Sequence, residues 1–466
     1  MSPDFRAPLT EIDTSILRAY DFRGRFPEQL NMQTLYWLGR AYAHSLQGLN
    51  TAPVCVGADG RDSGPDLKFA LIAGLREGGA DVLDCGFCPT PVVYFAAAQQ
   101  DAMNALVVTA SHNPADQNGL KLVLSNRALL DEEITDLAQL ACSADLSSGC
   151  GALREQTQDA AYIHAISQRF ELKPGLKVVV DCGNGIAGPI TERLFRRLNT
   201  RLSLIFSEVD GQFPNHSPDP CIASNLVELQ RTVIKQQADI GFAFDGDADR
   251  VVAVSSTGRI LVPDQLLTLF AQELIAQEPG LVLMDAKCSA VVQELVVAAG
   301  GAVQIGRTGH SPMKRLMQAS GAICGGELSA HYYFADWYGF DDGLFTAVRL
   351  LQLLQNRNQT LDQLIDALPQ RVSTPEIRIP VADERKFQLI KDLELTEFAA
   401  TETITIDGLR VEYDEGWGLV RASNTEAALV ARFEAVTKEA LNKIIANFNR
   451  NLAQIGADDC AVELYN

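Results

Sequence analysis

The sequence predicts an α/β protein of several domains with mainly parallel sheets, followed by a smaller C-terminal α+β domain. The chain has 466 residues, which is more than a single hydrophobic core usually accommodates. Short, continuous apolar runs alternate with longer amphipathic stretches, a pattern typical of covered parallel strands joined by helices. From about Pro375 onward the pattern changes to closely spaced short strands and one long helix.

The apolar runs predict the strands Val54–Ala58, Val82–Cys85, Ala105–Val108, Lys177–Asp181, Ile240–Phe244, Leu281–Met284 and Ile323–Cys324. The amphipathic stretches predict helices that include Asp66–Glu77, Thr191–Leu198, Leu226–Gln237 and Gln265–Gln277. Near the C-terminus, ITIDGLRVEY and GWGLVRAS predict a hairpin-like pair, and ALVARFEA predicts a strand that leads into a long helix. No internal repeat is visible in the sequence.

Three connecting segments, near residues 154–159, 256–259 and 368–374, predict the domain boundaries. Pro369 and Pro375 mark the last of these segments. The chain is thereby divided into α/β domains at residues 1–156, 157–257 and 258–370, and an α+β domain at residues 371–466.

Composition excludes several classes of protein. Hydrophobic residues make up 47% and charged residues 21%, which is the balance of a globular chain. The net charge of −20 argues against a nucleic-acid partner, because such a partner requires a basic face. No signal-like start and no apolar run of about 18 residues is present, so we expect a cytoplasmic protein without a membrane partner.

Ten cysteines are scattered singly along the chain, several of them inside predicted strands. We expect free, buried thiols in a reducing compartment and not a disulfide framework. Cys85 and Cys88 have the spacing of a metal-thiolate pair, but no second pair completes such a site.

The string DGDADR places three carboxylates at alternate positions, Asp245, Asp247 and Asp249. Alternate side chains of an extended or looping backbone point the same way, so the three carboxylates can converge on one cation. All-oxygen ligation favours Mg²⁺, which completes its shell with water and phosphate oxygens. The calcium loop of an EF-hand would need glycine and glutamate where this chain has Arg250 and Ser256. An acidic surface turn is the remaining alternative.

Ser111 lies in the string TASHNP, directly after a predicted strand. A serine in this position is often only a turn residue, and no GxSxG elbow surrounds it. The predicted metal site favours a nucleophile instead, because phosphoryl transfer to a hydroxyl requires Mg²⁺. His112 and Lys121 could supply acid–base help and positive charge, while a structural role for His112 stays open.

Two further strings carry polar groups suited to a phosphosugar. In GELSAH, Glu327 and Ser329 can face the same side of an extended loop and bind two neighbouring sugar hydroxyls, although a turn role is also possible. In RASNTE, a guanidinium, hydroxyls and backbone N–H groups suit a phosphate, although an ordinary polar turn would look similar. The residues of this second string are Arg421, Ser423, Asn424 and Thr425.

The polar strings TASHNP, DGDADR and GELSAH all come directly after an apolar strand. Because α/β folds bind ligands beyond the carboxyl ends of parallel strands, we expect these strings to line one site. A phosphate site in so acidic a chain must gather cations locally. Candidate cations lie in or beside the strings, at Arg23, Lys121, Arg250, Lys287, His310, His331 and Arg421.

The chain resembles the α-D-phosphohexomutases, most closely their bacterial phosphomannomutase/phosphoglucomutase branch. The resemblance runs nearly end to end, through AYDFRG, TASHNP, DCGNG, FPNHSPDP, DGDADR, DAKCSA, RTGHS, GELSAH, GFDDG and GWGLVRASNTE. It implies four domains around one central cleft, three of them related α/β domains. It also implies reversible conversion of hexose 6-phosphates and 1-phosphates of glucose and mannose through a 1,6-bisphosphate that reorients in the cleft.

The resemblance also implies roles for individual residues. Ser111 corresponds to the phosphoserine and binds one Mg²⁺ per chain together with Asp245, Asp247 and Asp249, while glucose 1,6-bisphosphate serves as activator and intermediate. Further catalytic positions are Lys121, His331, Arg23, His112 and Arg250. Substrate-binding positions are Tyr20, Lys287, His310, Glu327, Ser329, Arg421, Ser423, Asn424 and Thr425. Lys121 and His331 are the candidates for proton transfer.

Three departures from the family pattern stand out. Ala330 and Leu328 replace the usual glycine and methionine of the sugar loop, and Ala58 with Asp62 alters a turn. Ala330 bears on the backbone shape, since alanine tolerates positive φ poorly. Alternative functions are a phosphoglucosamine mutase, a metal-dependent serine phosphatase and a non-catalytic sugar-phosphate binding protein. The sequence leaves the oligomeric state open, and we expect a monomer.

Overall fold

The computed structural model describes residues 4–423 and 427–462. Its first sheet contains the predicted strand that precedes Ser111. Its strand order is β1-β5-β4-β2-β3-β7, with β6 paired to β5. Strands β2, β3, β4 and β7 are parallel, whereas β5 runs antiparallel to both of its neighbours. The elements are β1 (Asp21–Arg25), α1 (Met32–Ser45), β2 (Val54–Ala58), α2 (Gly64–Glu77), β3 (Val82–Phe87), α3 (Thr90–Ala98), β4 (Ala105–Val108), β5 (Gln117–Leu124), β6 (Arg127–Ala128), α4 (Glu132–Ala141) and β7 (Leu153–Glu155).

The second sheet has the order β11-β10-β8-β9, in which only β11 is antiparallel. Its elements are α5 (Asp159–Arg169), β8 (Lys177–Asp181), α6 (Gly188–Arg197), β9 (Arg201–Ile205), α7 (Val227–Gln236), β10 (Ile240–Phe244) and β11 (Val251–Ser255).

The third sheet has the order β13-β12-β14-β15, in which only β15 is antiparallel. Its elements are α8 (Pro263–Ile275), β12 (Leu281–Asp285), α9 (Ala290–Ala298), β13 (Ala302–Gly306), α10 (His310–Ser320), β14 (Cys324–Gly326), β15 (Tyr332–Phe334), α11 (Gly343–Arg357) and α12 (Leu361–Asp366).

These three sheets share one topology, as the resemblance implied. Each sheet contains a unit of four strands whose order across the sheet is fourth, third, first, second along the chain. The first three strands are parallel, and the fourth is antiparallel to the third. The third and fourth strands are β4 and β5, β10 and β11, and β14 and β15. The predicted relationship among the three α/β domains is therefore confirmed.

The fourth sheet is antiparallel throughout and forms an α+β layer with two helices. Its elements are β16 (Val372–Ser373), β17 (Ile377–Pro380), α13 (Asp383–Glu394), β18 (Glu402–Ile404), β19 (Leu409–Tyr413), β20 (Gly416–Ala422), β21 (Ala428–Ala435) and α14 (Lys438–Gln454). The segment ITIDGLRVEY contributes strand β19, which follows the end of β18 and a turn at Gly408, where φ is +78°. The predicted hairpin-like pair is confirmed as β19 and β20, which lie within the four-stranded meander β18-β19-β20-β21.

Differences at element ends have simple causes. Predicted helices that started at Asp66, Thr191 and Gln265 begin two or three residues earlier, because each includes a proline in its first turn. The strand predicted at Ile323–Cys324 is shifted to β14. Strands β3 and β12 extend one or two residues beyond their predicted ends.

The buried apolar side chains form a continuous core through the second and third sheets and one face of the first. The fourth sheet has its own core with α13 and α14. All ten cysteines are free and seven of them are buried, as expected. None of the helices in residues 4–423 and 427–462 is long and apolar enough to cross a membrane.

Candidate active site

Three topologically equivalent loops bring the predicted functional strings together. Each loop joins the third strand of an α/β unit to the antiparallel fourth strand: residues 109–116, 245–250 and 327–331. Each loop also contains a non-glycine residue with positive φ, namely Ser111 (51°), Ala248 (60°) and Ala330 (70°). Because the sheets share a topology, strings far apart in sequence meet at one site.

Ser111 lies between the first two loops. Its Oγ donates to Oδ2 of Asp245 at 2.6 Å and lies 3.3 Å from Nδ1 of His112, while its N–H donates to Thr109 Oγ1 at 2.9 Å. Left-handed backbone costs an L-residue about 1 kcal/mol or more, and such strain clusters at functional sites. The serine is buried and held in place from several directions.

Arg61 fixes the backbone of the serine loop. Its guanidinium is fully buried and donates to four main-chain carbonyls, those of Ser111 (2.8 Å), Asn113 (2.7 Å), Pro114 (2.6 Å) and Gln117 (2.9 Å). Charge-assisted hydrogen bonds of this kind are roughly twice as strong as neutral ones. The loop therefore keeps its shape without help from the Ser111 hydroxyl.

Asp245, Asp247 and Asp249 are completely buried and offer carboxylate oxygens within 4.8 Å of one another. Lys121, on β5, donates from Nζ to Asp247 Oδ2 at 2.6 Å and to Oδ2 of Asp249. Thr90 donates to the same Asp247 oxygen at 2.5 Å. Asp247 and Asp249 thus share the ammonium of Lys121, while Asp245 lies beside the guanidinium of Arg250.

The three aspartates fit a hard divalent cation. Within the described part of the chain, Asp247 Oδ1 and Asp249 Oδ1 are buried without a hydrogen-bond partner, which normally costs free energy. A site of carboxylate oxygens, two of them free to bind, suits Mg²⁺, which proteins bind through oxygen ligands. Ser111 Oγ, hydrogen-bonded to Asp245, is close enough to place a further oxygen beside this set.

Burial and neighbouring charges shift the pKa values of Asp245 and Lys121 in this cluster. Burial and the charges of Asp247 and Asp249 raise the pKa of Asp245 well above its ordinary value. Burial by itself would lower the pKa of Lys121, but Asp247 and Asp249 outweigh it and raise that pKa well above the usual range. Lys121 is therefore held as an ammonium beside the carboxylates.

His331, in the third domain, lies beside the cluster of three aspartates. Its Nδ1 lies 2.8 Å from Asp341 Oδ2 and 3.7 Å from Asp249 Oδ1. Lys314 Nζ donates to Asp341 Oδ1 at 2.9 Å and lies 3.0 Å from Nδ1 of His310. The contact with Asp341 is not aligned as a hydrogen bond, but the charge of this carboxylate favours a proton on Nδ1, and Nε2 would then be the basic nitrogen.

Two residues outside the loop at 327–331 hold Glu327 in a fixed orientation. Its carboxylate accepts from Tyr333 Oη at 2.5 Å and from the Gly309 N–H at 2.7 Å. Ala330 is completely buried with φ +70°, so the alanine adopts the left-handed shape that glycine would adopt more easily. Ser329 follows Glu327 in the same loop and accepts at its carbonyl from Cys221 Sγ, 3.4 Å away.

The remaining predicted residues of the first two domains line the same site. Arg23 donates to Asp21 Oδ2 at 2.8 Å and to Asn113 Oδ1 at 2.9 Å. Tyr20 packs edge-on against the His310 ring, with centroids 4.8 Å apart. Arg250 contacts His112 Nδ1, and burial with the charges of Arg250 and Arg23 lowers the pKa of His112 well below its ordinary value.

The predicted phosphate string lies on the fourth domain. Arg421, at the end of β20, pairs with Asp407, and Lys287, after β12, pairs with Glu376. Ser423 directly follows β20 and is buried. Asn424 and Thr425 lie outside the described residues.

Several residues of the site escaped the sequence analysis. They are Arg61, Thr90, Asp285, Asp341, Asp407 and Glu376. Asp341 stands in the string GFDDG, and Arg61 stands in ADGRD between a predicted strand and a predicted helix. A high density of charged residues is a weak signal of function. Which of them is the buried partner of a site residue becomes clear only when the contacts are known.

Comparison with known proteins gives the same division of the chain. Four family models match in order: Phosphoglucomutase/phosphomannomutase alpha/beta/alpha domain I at residues 14–144, domain II at 160–258, domain III at 262–372, and the C-terminal domain at 376–450.

Individual relatives match over nearly their whole length. A phosphomannomutase/phosphoglucomutase of Pseudomonas aeruginosa is 41% identical over 447 residues, covering 95% of this chain and 96% of the relative. A phosphoglucomutase of Neisseria gonorrhoeae is 39% identical over 450 residues, covering 94% and 97%. The crystal structure of a phosphoglucomutase/phosphomannomutase family protein from Burkholderia thailandensis superposes with a TM-score of 0.90 at 40% identity, covering 96% and 98%. The chain therefore belongs to the phosphoglucomutase/phosphomannomutase family of α-D-phosphohexomutases.

Proposed function

We propose that the chain interconverts the 6-phosphates and 1-phosphates of glucose and mannose, with Ser111 as the phosphoryl carrier. The observation that carries this proposal is the 2.6 Å contact between Ser111 Oγ and the Asp245 carboxylate. It joins a nucleophile to a cluster of buried acids whose cationic partners are Lys121 and Arg250. That combination suits transfer of a charged phosphoryl group.

In the proposed reaction, a hydroxyl oxygen of the hexose monophosphate forms a bond to the phosphorus of phosphorylated Ser111, and the bond to Oγ breaks. His331 takes the hydroxyl proton at Nε2, because Asp341 favours a proton on Nδ1. Lys121 is the less suitable base, since two carboxylates hold it as an ammonium. After the 1,6-bisphosphate turns around, Oγ bonds to its other phosphorus, the bond from that phosphorus to the sugar oxygen breaks, and the proton held by His331 passes to that oxygen.

Asp245, Asp247 and Asp249 would hold Mg²⁺, with an oxygen on Ser111 completing the protein ligands. When bound, the cation neutralises charge on the transferring phosphoryl group. Arg250 is 3.5 Å from Asp245 and adds fixed positive charge on the same side of the cleft. Glucose 1,6-bisphosphate is the proposed intermediate, and added bisphosphate is the proposed activator of unphosphorylated Ser111.

We propose that Glu327 and Ser329 bind the neighbouring hydroxyls at C3 and C4 of the sugar. Glucose and mannose share their configuration at both carbons and differ only at C2, so one reader accepts both sugars. Tyr333 and Gly309 support this role by holding the Glu327 carboxylate in one orientation. Arg421, Ser423, Asn424 and Thr425 are the proposed binding site for the phosphate that is not being transferred.

We also propose domain limits at residues 1–156, 157–257, 258–370 and 371–466. Each of the four sheets lies within one of these ranges, which supports the division. Ten free cysteines support a reducing compartment such as the cytoplasm.

The proposal is tested with four sugar 1-phosphates, those of glucose, mannose, glucosamine and galactose, in Mg²⁺ and a trace of glucose 1,6-bisphosphate. We expect comparable kcat/KM for glucose and mannose 1-phosphates. Galactose 1-phosphate is expected to be poor, since its inverted C4 hydroxyl misplaces one partner of a buried polar pair. The measurement is formation of the 6-phosphate in each case.

Two results would contradict this proposal. A clear preference for glucosamine 1-phosphate would indicate a phosphoglucosamine mutase. Release of inorganic phosphate without formation of a 6-phosphate would indicate a serine phosphatase.

Metal removal gives a second prediction. Chelation should abolish the mutase activity and added Mg²⁺ should restore it. Asp247→Asn should raise the Mg²⁺ concentration needed for half-maximal activity, because it removes one ligand charge. Asp239→Asn, which changes the same charge on an exposed residue before β10, serves as the matched control. An Asp247→Asn protein with unchanged Mg²⁺ dependence would contradict the assigned ligand set.

A further inference from the structure

Two cations at the boundary of the third and fourth domains are each paired with a carboxylate from the fourth domain. Lys287 Nζ lies 2.9 Å from Glu376 Oε1. Arg421 pairs with Asp407 through Nε to Oδ2 at 2.9 Å and Nη2 to Oδ1 at 3.1 Å. Both cations belong to the proposed substrate-binding residues. Two carboxylates of the protein are therefore paired with cations that we expect to bind a phosphosugar.

Asp407 is a fixed partner of Arg421. It also accepts from the Thr308 N–H at 3.2 Å, and its side chain is 9% exposed. The bidentate pairing uses one edge of the guanidinium, and among the described residues Nη1 of Arg421 has no hydrogen-bond partner. Asp407 therefore orients Arg421 and leaves its other edge for a ligand.

Glu376 is held far less firmly. It lies in the extended segment before β17, its side chain is 35% exposed, and Lys287 is its one ion-pair partner in the described part of the chain. Partial exposure keeps the Glu376 carboxylate in contact with water, so its hydration is recovered when it leaves Lys287. Glu376 can thus leave Lys287 for water at small cost.

Lys287 needs a negative partner at all times. Its side chain is 9% exposed, and its other carboxylate neighbour, Asp285, lies 3.8 Å away. Burial lowers the pKa of Lys287, but the charges of Glu376 and Asp285 outweigh burial and raise that pKa above its ordinary value. A phosphate brings more negative charge and more acceptor oxygens than one carboxylate, so it is the better partner for a buried ammonium.

We propose that Glu376 is an internal stand-in for the phosphosugar at Lys287, bound there in the ligand-free protein and displaced when the substrate's anionic group arrives. The inference rests on the proposed function, because it takes the ligand to be a phosphosugar. Glu376 makes the apparent affinity weaker than the intrinsic one, since Lys287 is available only part of the time. Weakened binding suits a site that must release and rebind a bisphosphate within each reaction cycle.

The test is a binding measurement in a Ser111→Ala background, which prevents turnover. Glucose 1-phosphate is titrated calorimetrically into this parent and into the same protein with Glu376→Gln. Removing the internal competitor should tighten binding by about three- to tenfold, because Lys287 becomes available without prior displacement. A mere structural link between the two domains would give the opposite sign, since its loss would loosen the site.

Two controls keep the result specific. Glu402→Gln changes the same charge on an exposed residue of β18 and should leave the affinity unchanged. In a Lys287→Met background, which keeps the length and buried volume of the side chain, Glu376→Gln should have no effect on affinity.

The outcomes separate the two hypotheses. Unchanged or weaker binding by Glu376→Gln, or a gain that persists with Lys287→Met, overturns the stand-in role while the proposed function stands. Failure of the folded Ser111→Ala parent to bind glucose 1-phosphate at all overturns the proposed function, and the stand-in role falls with it.

Discussion

Replacing Ser111 by alanine is expected to lower turnover by roughly three orders of magnitude or more, because it removes the atom that carries the phosphoryl group. The fold should persist. Arg61 holds the loop through four backbone carbonyls, including that of Ser111, and none of these contacts involves the hydroxyl. The stability cost is the hydrogen bond to Asp245, about 1 kcal/mol.

Ser125→Ala is the matched control, since Ser125 also has positive φ, 48° against 51° for Ser111, but lies in a turn between β5 and β6. Both substitutions keep a Cβ in left-handed backbone, so they differ mainly in the hydroxyl that is lost. A second readout is transfer of label from radiolabelled glucose 1,6-bisphosphate to the protein, expected for Ser125→Ala and absent for Ser111→Ala. Near-normal turnover or labelling of the Ser111→Ala protein would contradict the assignment of Ser111 as the phosphoryl carrier.

Replacing His331 by alanine is expected to lower kcat by about two to four orders of magnitude, the usual contribution of a general base. The reason is the charge of Asp341, whose Oδ2 lies 2.8 Å from Nδ1 and favours a proton there, so Nε2 is the proposed base. Added imidazole should restore part of the activity, because the cavity left by the side chain admits a free base. The measurement is kcat with and without imidazole.

His164→Ala, an exposed helical position on α5, is the control and should neither lose activity nor respond to imidazole. The competing candidate is Lys121, which two aspartates hold as an ammonium. If Lys121→Met loses the activity while His331→Ala retains most of it, the proton goes to the lysine and the assignment of the base is wrong.

Local patterns in the sequence were enough to predict most strands. Four of the predicted strands, including those before Ser111 and Asp245, have the same ends in the structure. A buried parallel strand is a continuous apolar run, and this signal depends only on nearby residues. Helix starts were less accurate, because a proline in the first helical turn resembles a loop signal.

The partners of the site residues could not be predicted in the same way. Arg61 and Asp341 contact Ser111 and His331 from separate elements, and Glu376 reaches Lys287 across a domain boundary. In the sequence, each of them is one charged residue among the 98 of the chain. A pairing between distant residues depends on how the sheets pack, which short-range pattern does not encode.

The sequence by itself determined the chemical groups of this protein: a serine, three alternating aspartates, a sugar loop and a phosphate string, each placed after an apolar strand. Only the tertiary structure decided how three sheets of one topology pack, so that equivalent loops meet at Ser111. It also decided which carboxylate each buried cation contacts. The physical reason is burial, since a charge removed from water must find an opposite charge, and the fold selects which one is near.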